Sequence, residues 1–352
     1  MNIKLGILGA TGKVGSELLK LLENWPESKL TLSVPPVLFG TEKSAGKKIL
    51  FKNQELEVKN SIPENFEGLN VLISCANGEV SEKLVPEALR RGVKLVVDTD
   101  SFYRMDPDVP LVTIGVNDED LDWHKGIIAG PNCSTAQLVL PLKALHKAFG
   151  LKRVVVSTYQ SVSGAGKKAM DELLQQTRSS IESGDLTETE TQRKLIREQF
   201  AFNVIPKISK ILDSGYSKEE WKVVVETRKM LHSPDLAITC TAVRVPVLVG
   251  HSESVNVQLL NSFSLQEVTE VLKNHTGIKL WDDKDSYPMP TDVAGSEPVH
   301  VGRVRVDESA ENALDLWVVA DNLMIGAALN ALRIAEVAAQ RHKIWSKGKK
   351  ET

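Results

Sequence analysis

The chain has 352 residues, 42% hydrophobic and 25% charged, a composition typical of a globular protein with two domains or one large one. Its 43 basic and 46 acidic residues leave a formal net charge of −3, which excludes a general attraction for nucleic acid or an anionic membrane surface. The three cysteines form no disulfide pattern, and the sequence lacks a signal peptide and any membrane-spanning apolar run, so we expect a cytoplasmic protein.

A glycine-rich turn joins the first predicted strand to the first predicted helix. Residues 3–8 predict a short strand, Gly9-Ala10-Thr11-Gly12-Lys13-Val14-Gly15 form the turn, and residues 14–22 predict an amphipathic helix. Glycines allow the backbone to approach a pyrophosphate, and the N–H groups at a helix start favour anionic oxygens. The spacing is G-x-x-G-x-x-G rather than G-x-G-x-x-G, so an ordinary strand-to-helix turn is the alternative to a dinucleotide site.

Two later apolar runs predict further strands of the same sheet. Val71–Ala76 and Lys94–Asp98 are short and continuous, and the helical pattern of Lys83–Arg91 separates them. Such runs are typical of strands that are buried on both faces of a parallel sheet.

The loop at residues 38–47 is the candidate for contact with a cofactor ribose. It has no acidic residue at the end of a strand to bind a ribose 2′-hydroxyl. Thr41, Lys43 and Ser44 instead offer hydroxyls and a positive charge, which suit the 2′-phosphate of NADP better than NAD. An ordinary solvated loop is the alternative.

Cys133 lies where a helix is predicted to begin. The segment Gly130–Ala136 precedes an apolar helical pattern that ends at Phe149, and a helix N-terminus stabilises a thiolate. Pro141 predicts either a kink in this helix or a later start. Cys75 and Cys240 have apolar neighbours and are interpreted as small core residues.

His251 is the candidate acid/base partner for a nucleophilic cysteine. Residues 243–250 predict a strand that ends in a turn and residues 254–259 the next strand, so His251 is expected at a strand end. The other six histidines lie in surroundings typical of the surface, and a turn residue is the alternative for His251. No His/Cys spacing resembles a zinc site, so no metal is predicted.

Together with further motifs, these residues resemble the aspartate-β-semialdehyde dehydrogenase family over nearly the whole chain. The matching segments are 9–12 with 14–15, 43–47, 131–135, 160–166, 244–247 and 250–253. The expected fold is α/β: a Rossmann-like doubly wound nucleotide-binding domain plus an α+β catalytic and dimerisation domain. The first domain spans residues 1–132 and is completed by a C-terminal helix at about 323–352, and the second spans residues 133–322.

The resemblance implies NADPH-dependent, reversible reduction of L-aspartyl-4-phosphate to L-aspartate 4-semialdehyde, with release of phosphate. This reaction supplies lysine or diaminopimelate, methionine and threonine biosynthesis. Cys133 matches the nucleophile, His251 the acid/base residue and Gln160 the residue that orients the intermediate. Asn132, with the backbone N–H of Cys133, is expected to stabilise oxyanion charge, and the alternative for both amides is turn and cap hydrogen bonds.

The resemblance also assigns the binding residues. Arg244 matches the carboxylate-binding arginine, Glu226 is assigned to the substrate ammonium, and Lys229 and Arg104 to phosphate. Without the resemblance, Glu226 and Lys229 would be interpreted as a solvated ion pair. The cofactor residues it implies are Gly9, Thr11, Gly12, Lys13, Val14, Thr41, Lys43, Ser44, Ser163, Gly164 and Asn322. Met324 and Ile325 stand where many relatives have basic residues.

Three alternatives to this function remain open. N-acetyl-γ-glutamyl-phosphate reductase shares the architecture and the thioester chemistry, and related chains reduce CoA thioesters such as malonyl-CoA. A nucleotide-binding paralogue without catalysis is the third, although such relatives often lack the cysteine. The expected partners are a small-molecule substrate and further copies of the chain, as a homodimer or homotetramer, with no nucleic acid and no membrane.

Overall fold

The computed structural model describes residues 2–186 and 195–344. It divides into two compact units, Met1–Pro131 with Ala327–Thr352, and Asn132–Gly326. Of the closing helix expected at about 323–352, residues 345–352 lie outside the described part of the chain. Within residues 2–186 and 195–344, no helix is long and apolar enough to cross a bilayer.

The first unit alternates strands and helices around a parallel sheet, as expected from the sequence. Its seven-stranded sheet has the order β5-β6-β4-β2-β7-β8-β9, in which only the β5–β6 pair is antiparallel. Strands β1 and β3 form a separate parallel pair. The elements up to residue 131 are β1 (Asn2–Ile3), β2 (Leu5–Leu8), α1 (Lys13–Glu23), β3 (Thr31–Leu32), β4 (Val37–Gly40), β5 (Lys48–Phe51), β6 (Gln54–Asn60), β7 (Val71–Ser74), α2 (Gly78–Arg90), β8 (Leu95–Asp98) and β9 (Ile127–Ala129), with 3-10 helices at Pro63–Phe66 and Asp118–Trp123.

Every residue of β2, β7 and β8 is buried, which confirms the interpretation of the continuous apolar runs. From β2 the chain passes first to β4 on one side and later to β7 on the other. Doubly wound sheets bind their ligands at such a switch point, beyond the carboxyl ends of the strands. The glycine turn after β2 and the loop after β4 therefore lie at the same edge.

The second unit is an α+β domain with a six-stranded mixed sheet in the order β11-β10-β12-β15-β14-β13. Its elements are α3 (Cys133–Phe149), β10 (Leu151–Gln160), a 3-10 helix at Val162–Ala165, α4 (Lys167–Ser183), α5 (Lys218–Met230), β11 (Ala237–Arg244), β12 (His251–Leu259), α6 (Leu265–Lys273), β13 (Ile278–Leu280), α7 (Pro290–Val293), β14 (Val299–Val306) and β15 (Ala313–Ala320).

Two details of the second unit differ from the sequence predictions. The strand predicted at residues 243–250 is wrong: β11 ends at Arg244, since Pro246 has no N–H for a ladder bond and Gly250 has a φ of 94°. Helix α3 runs through Pro141 from Cys133 to Phe149, so the alternative of a later helix start is also wrong.

The sheet of the second unit has one covered and one open face. Helix α3 packs against β10, β12 and β15. Successive side chains of a strand point to opposite faces, and on β12 the buried set includes His251, Glu253 and Val255, whereas Ser254 is exposed. The candidate catalytic strand residues therefore belong to the covered face.

The last helix returns to the first unit. A π-helical segment, Met324–Ala328, leads into α8 (Leu329–Arg341), which packs on β7, β8 and the 3-10 helix at Asp118–Trp123. Asn330 fixes α8 there, because its Nδ2 donates to Val112 O at 2.9 Å and its Oδ1 accepts from Ile114 N at 3.1 Å.

Candidate active site

Cys133 is the first residue of α3, directly after the N-cap Asn132. Oδ1 of Asn132 accepts hydrogen bonds from the N–H groups of Ser134 at 3.0 Å and Thr135 at 3.3 Å. A capped helix start holds the thiol in the positive end of the helix dipole, which favours the thiolate. The sequence prediction of a helix-start cysteine is confirmed.

Two carboxylates of α5 accept hydrogen bonds from Asn132, the N-cap of α3. Glu226 Oε2 accepts the backbone N–H of Asn132 at 2.6 Å, and Glu219 Oε1 accepts its Nδ2 at 2.8 Å. The Asn132 amide is thus engaged by protein groups at both its oxygen and its nitrogen. Glu219 was missed by the sequence analysis; its position seven residues before Glu226, two turns along one helix, was the available signal.

Gln160 and Arg244 end the adjacent parallel strands β10 and β11, where they are paired in register. Gln160 Nε2 donates to Ser134 Oγ at 2.8 Å, next to the nucleophile. Arg244 Nη1 donates to Ser161 O at 2.6 Å. Burial lowers the pKa of Arg244, and the nearby Cys133 and Glu219 act in the opposite direction. A buried guanidinium that interacts with Cys133 adds to the stabilisation of a thiolate.

His251 begins β12 and is fully buried, at 0% exposure. Its Nδ1 lies 3.0 Å from the backbone N–H of Ser161, which donates to it, so the neutral ring carries its proton on Nε2. Nε2 has no hydrogen-bond partner among the described residues. Burial, and then the charge of Arg244, lower the pKa of His251 well below its usual value. The resting imidazole is therefore neutral, with one unused N–H donor.

Gly164 packs close to the side chains of Arg244 and His251. A Cβ at Gly164 would lie 3.1 Å from Arg244 Nη1 and 3.4 Å from His251 Nε2, although Gly164 itself is exposed. A side chain at this position would crowd both groups, so the close packing favours glycine here.

Asn322 is the centre of a buried network that supports His251. Its Oδ1 accepts from Ser161 Oγ at 3.1 Å, Ser163 Oγ at 3.0 Å and Gly250 N at 3.0 Å. Ser161 Oγ also lies 3.1 Å from His251 Nδ1. Ser163 and Asn322, which the resemblance assigned to the cofactor, therefore lie together in the second unit.

Gly326 packs directly on the nucleophile and was missed as a site residue. A Cβ there would lie 2.5 Å from Cys133 Cβ and 2.6 Å from Cys133 Cα. The π-helical segment around Gly326 brings its backbone against the start of α3.

The glycine turn of the first unit fits a dinucleotide phosphate. Gly9 has a φ of 80°, and a Cβ at Gly15 would lie 2.4 Å from Gly9 O, so both positions need glycine. No described side chain caps α1, whose first turn has no acidic residue, while Thr11 and Gly12 are exposed. The start of α1 therefore has no side-chain cap, as is typical of helix starts that bind phosphate.

The remaining cofactor candidates of this unit flank the turn. Thr11 Oγ1 and Ser44 Oγ are 3.4 Å apart, so the loop after β4 meets the glycine turn. Lys43 and Thr41 are exposed. Lys13 Nζ pairs with Glu17 at 2.9 Å, and Val14 is half-buried in the first turn of α1.

The two phosphate candidates belong to different units. Arg104, in the first unit, is buried, and its Nη2 donates to Thr99 O at 2.9 Å. Lys229 lies on α5, three residues after Glu226 and half-buried. Glu226 is buried against Asn132, so the interpretation of this pair as a solvated surface ion pair is wrong.

The other two cysteines are poor nucleophiles. Burial raises the pKa of Cys75 to about 12, and burial also raises the pKa of Cys240, which nearby carboxylates raise further. Their thiols stay protonated near neutral pH. Among residues 2–186 and 195–344, no cluster of His, Cys, Asp and Glu has the arrangement of a metal site.

Comparison with known proteins gives consistent matches over both units. Two family models match, "Semialdehyde dehydrogenase, NAD binding domain" at residues 4–124 and "Semialdehyde dehydrogenase, dimerisation domain" at residues 142–325. Aspartate-semialdehyde dehydrogenase of Bacillus subtilis is 44% identical over 340 residues, which cover 95% of this chain and 97% of that protein.

Two solved structures resemble the whole chain. Aspartate semialdehyde dehydrogenase II of Vibrio cholerae, complexed with ASA, has a TM-score of 0.89 and 39% identity, and the match covers 97% of this chain and 99% of that one. The enzyme of Candida albicans with NADP has a TM-score of 0.77 and 26% identity, with coverage of 98% and 100%.

Proposed function

Because this chain belongs to the aspartate-semialdehyde dehydrogenase family, we propose that it reduces L-aspartyl-4-phosphate to L-aspartate 4-semialdehyde with NADPH and releases phosphate, reversibly. The reaction supplies lysine or diaminopimelate, methionine and threonine biosynthesis. The observation that carries the proposal is Cys133 at a capped helix start, beside the buried guanidinium of Arg244. That arrangement provides a thiolate nucleophile without a metal.

The first half of the reaction is acyl transfer to sulfur. Cys133 Sγ attacks the acyl carbon of the acyl phosphate, the bond from that carbon to the phosphate oxygen breaks, and a thioester remains. The backbone N–H of Cys133 is placed at the helix start, where it can stabilise the developing oxyanion. Gln160, held against Ser134 Oγ, orients the intermediate. Asn132 contributes by holding this helix start through its capping bonds.

The second half needs a hydride at the thioester carbon, which NADPH would supply when bound. The Nε2–H of His251 donates a hydrogen bond to the oxygen of the resulting thiohemiacetal. When the bond from carbon to Cys133 Sγ breaks, the aldehyde leaves and the thiolate returns. The tautomer set by Ser161 N–H is the one that this donation requires.

Substrate recognition is assigned to four charged residues, of which Arg104 belongs to the first unit and the others to the second. Arg244 keeps N–H donors beyond the one used by Ser161 O, and their planar fork suits the substrate carboxylate. Glu226, buried beside Asn132, is assigned to the substrate ammonium. Lys229 and Arg104 are assigned to the phosphate group.

Turnover of three candidate substrates tests the function. With phosphate and NADP, the chain should oxidise aspartate semialdehyde with a higher kcat/KM than N-acetylglutamate semialdehyde, and malonyl-CoA should be a poor acyl donor in the reductive direction. Cys133→Ala should abolish turnover, and Cys133→Ser should leave a trace, because a hydroxyl is a poorer nucleophile and leaving group. Near wild-type, phosphate-dependent oxidation by Cys133→Ala would refute the covalent mechanism. A preference for N-acetylglutamate semialdehyde or malonyl-CoA would favour the corresponding reductase. If none of the substrates were turned over, the result would favour a non-catalytic paralogue.

For the cofactor we infer NADP over NAD. The loop after β4 carries the exposed Thr41 and Lys43 next to Ser44, and β4 ends at Gly40 rather than at an acidic residue. Lys43→Ala should raise the KM for NADP by roughly two- to fivefold, the size of an exposed charge contact, and hardly change the KM for NAD. Lys47→Ala, in the same exposed loop, is the matched control. A wild-type preference for NAD, or equal loss of both cofactors, would contradict this assignment.

The dimerisation domain model at residues 142–325 supports a homodimer. We assign the interface to the open face of the second unit's sheet, where Tyr159 is 37% exposed next to Trp317. Tyr159→Glu should convert the dimer to a monomer in light scattering, whereas Leu265→Glu, at the exposed start of α6, should not. A monomeric wild-type chain would refute the dimer. A Tyr159→Glu variant that remains dimeric would refute the assigned interface.

A further inference from the structure

Gln137 links the helix of the nucleophile to the strand of His251. It lies on α3 four residues after Cys133, so the two residues share a face of the helix. Its side chain is 0% exposed, and Nε2 donates to the backbone carbonyl of His251 at 3.3 Å. The amide oxygen Oε1 has no hydrogen-bond partner among the described residues.

Glu253 lies next to this link on the covered face of β12. It follows His251 by two residues, so both side chains point to the same face of the strand. Glu253 is 0% exposed, and neither carboxyl oxygen has a conventional hydrogen-bond partner among the described residues. The Gln137 amide nevertheless acts on the carboxyl as a looser hydrogen-bonding neighbour.

The chemistry of these groups favours a neutral carboxylic acid at Glu253. A buried carboxylate without a cation or N–H donors is strongly disfavoured, so such a group takes up a proton. Burial raises the pKa of Glu253 well above its usual value, and Gln137 opposes this only in part. A protonated Glu253 has an O–H donor, which the unpartnered Oε1 of Gln137 is suited to accept.

An acid and a primary amide satisfy each other with two hydrogen bonds. The acid O–H donates a hydrogen bond to the amide oxygen, and one amide N–H donates to the acid carbonyl oxygen. The second amide hydrogen of Gln137 remains for the His251 carbonyl, the bond that the structure shows. This pairing satisfies the three orphaned polar atoms of Gln137 and Glu253 together.

We propose that Gln137 and the neutral acid of Glu253 form a positioning pair, which fixes His251 relative to the helix that carries Cys133. The inference rests on the proposed function, since it assumes that Cys133 and His251 act on one reacting carbon. Neither member of the pair touches substrate. The pair acts by setting the backbone of His251, whose Nε2–H must meet an oxygen next to Cys133 Sγ, and such alignment is sensitive to small displacements.

Four variants test the pair. Gln137→Met and Glu253→Leu keep the volume and remove the polar contact, Glu253→Gln replaces the acid by a neutral amide, and Gln258→Met is the matched control. Gln258 lies on the same strand, seven residues beyond His251, and its Nε2 donates to Glu311 O. We measure four quantities for each variant: kcat and KM for aspartate semialdehyde, the melting temperature, and the rate of alkylation of Cys133 by iodoacetamide.

A positioning role predicts a separation of these quantities. Gln137→Met and Glu253→Leu should lower kcat about tenfold or more, as expected when the Nε2–H donor of His251 is misaligned. KM and the alkylation rate should stay within roughly threefold, because the thiolate depends on the helix start and Arg244. Glu253→Gln should keep kcat within roughly threefold, since a carboxamide offers the same pairing in neutral form.

Several results would overturn the proposal. A tenfold loss of kcat in Glu253→Gln would mean that the ionised carboxylate is needed. An unchanged kcat in Gln137→Met would show that the link through Gln137 does not position His251. An equal loss of kcat in Gln258→Met would show that the effect is general destabilisation. If Gln137→Met or Glu253→Leu does not fold, the Glu253→Gln result still decides the neutral pair. A wild-type chain inactive on aspartate semialdehyde would refute the proposed function first, and this inference with it.

Discussion

Gly326→Ala tests how tightly the fold positions the nucleophile. The added Cβ would lie 2.5 Å from Cys133 Cβ and 2.6 Å from Cys133 Cα, whereas ordinary contacts begin at 3.4 Å. The backbone on one side or the other must therefore move by about 1 Å to reach van der Waals separation. Cys133 is at the first residue of α3, so its position is the one most exposed to this strain.

The displacement can be converted into a rate. A misplacement of about 1 Å at a reacting group can lower the rate by about 100-fold, which corresponds to about 2.7 kcal/mol of activation free energy. Overpacking of this kind also costs about 1–3 kcal/mol of stability. We therefore expect Gly326→Ala to lower kcat/KM about 100-fold in a protein that still folds.

The assay is phosphate-dependent oxidation of aspartate semialdehyde, with the melting temperature and Cys133 alkylation measured in parallel. Gly130→Ala is the matched control, because a Cβ there meets nothing closer than 3.7 Å and the position has no positive φ. Gly130→Ala should keep kcat/KM within roughly threefold, because the added methyl group makes only ordinary van der Waals contacts. If Gly326→Ala also kept kcat/KM within that range, the argument that this glycine places Cys133 would be refuted.

The remaining predictions concern charged and titratable groups. Arg244→Lys should lower kcat/KM about tenfold or more, because a lysine keeps the charge and loses the planar fork, and full activity would remove the carboxylate assignment. Lys229→Ala should raise the KM for phosphate and leave that for the aldehyde nearly unchanged, and an unaltered phosphate dependence would contradict its role. His251→Asn should lower kcat about 100-fold or more, yet leave the pH midpoint of Cys133 alkylation within about half a unit, because the resting imidazole is neutral. Asp98 is fully buried, and burial raises its pKa from the usual 3.8 to about 6, so its full contribution to stability is present below pH 3.8 and is lost as the pH rises through 6. The free energy of unfolding should fall by about 3 kcal/mol over this pH range. Asp98→Asn should abolish this fall when urea unfolding is measured between pH 4 and 8. If the free energy of unfolding changed equally with pH in the variant and the wild type, the assignment would be wrong.

The elements that depend on local pattern could be predicted from the sequence. Continuous apolar runs predicted β7 and β8, because strands buried on both faces need no polar side. The helix start at Cys133 followed from the position of the segment Gly130–Ala136 directly before an apolar helical pattern. The error at residues 243–250 arose because valines and leucines predict strand, while Pro246 and the positive φ of Gly250 end it.

The contacts that complete the site could not be predicted in this way. Glu226 meets Asn132 across 94 positions, and Gln137 meets His251 across 114. Such pairs depend on strand order and on how α3 lies on the sheet, which local periodicity does not encode. Gly326 shows the same limit, since its requirement for glycine comes from Cys133 rather than from its own backbone angle.

The protonation state of His251 decides how the thiolate is maintained. A fully buried imidazole whose pKa lies well below its usual value carries no charge near neutral pH, so it cannot stabilise the Cys133 thiolate as an imidazolium would. That stabilisation must come from the capped helix start and from Arg244, which interacts with Cys133. The sulfur begins and ends as a thiolate, and hydride addition followed by release of the aldehyde consumes no proton. The one proton of the overall reaction is taken up by the released phosphate and can come from solvent, so none is required from His251. Its Nε2–H is then best used to stabilise the thiohemiacetal oxygen, and accurate placement of that donor matters more than its basicity.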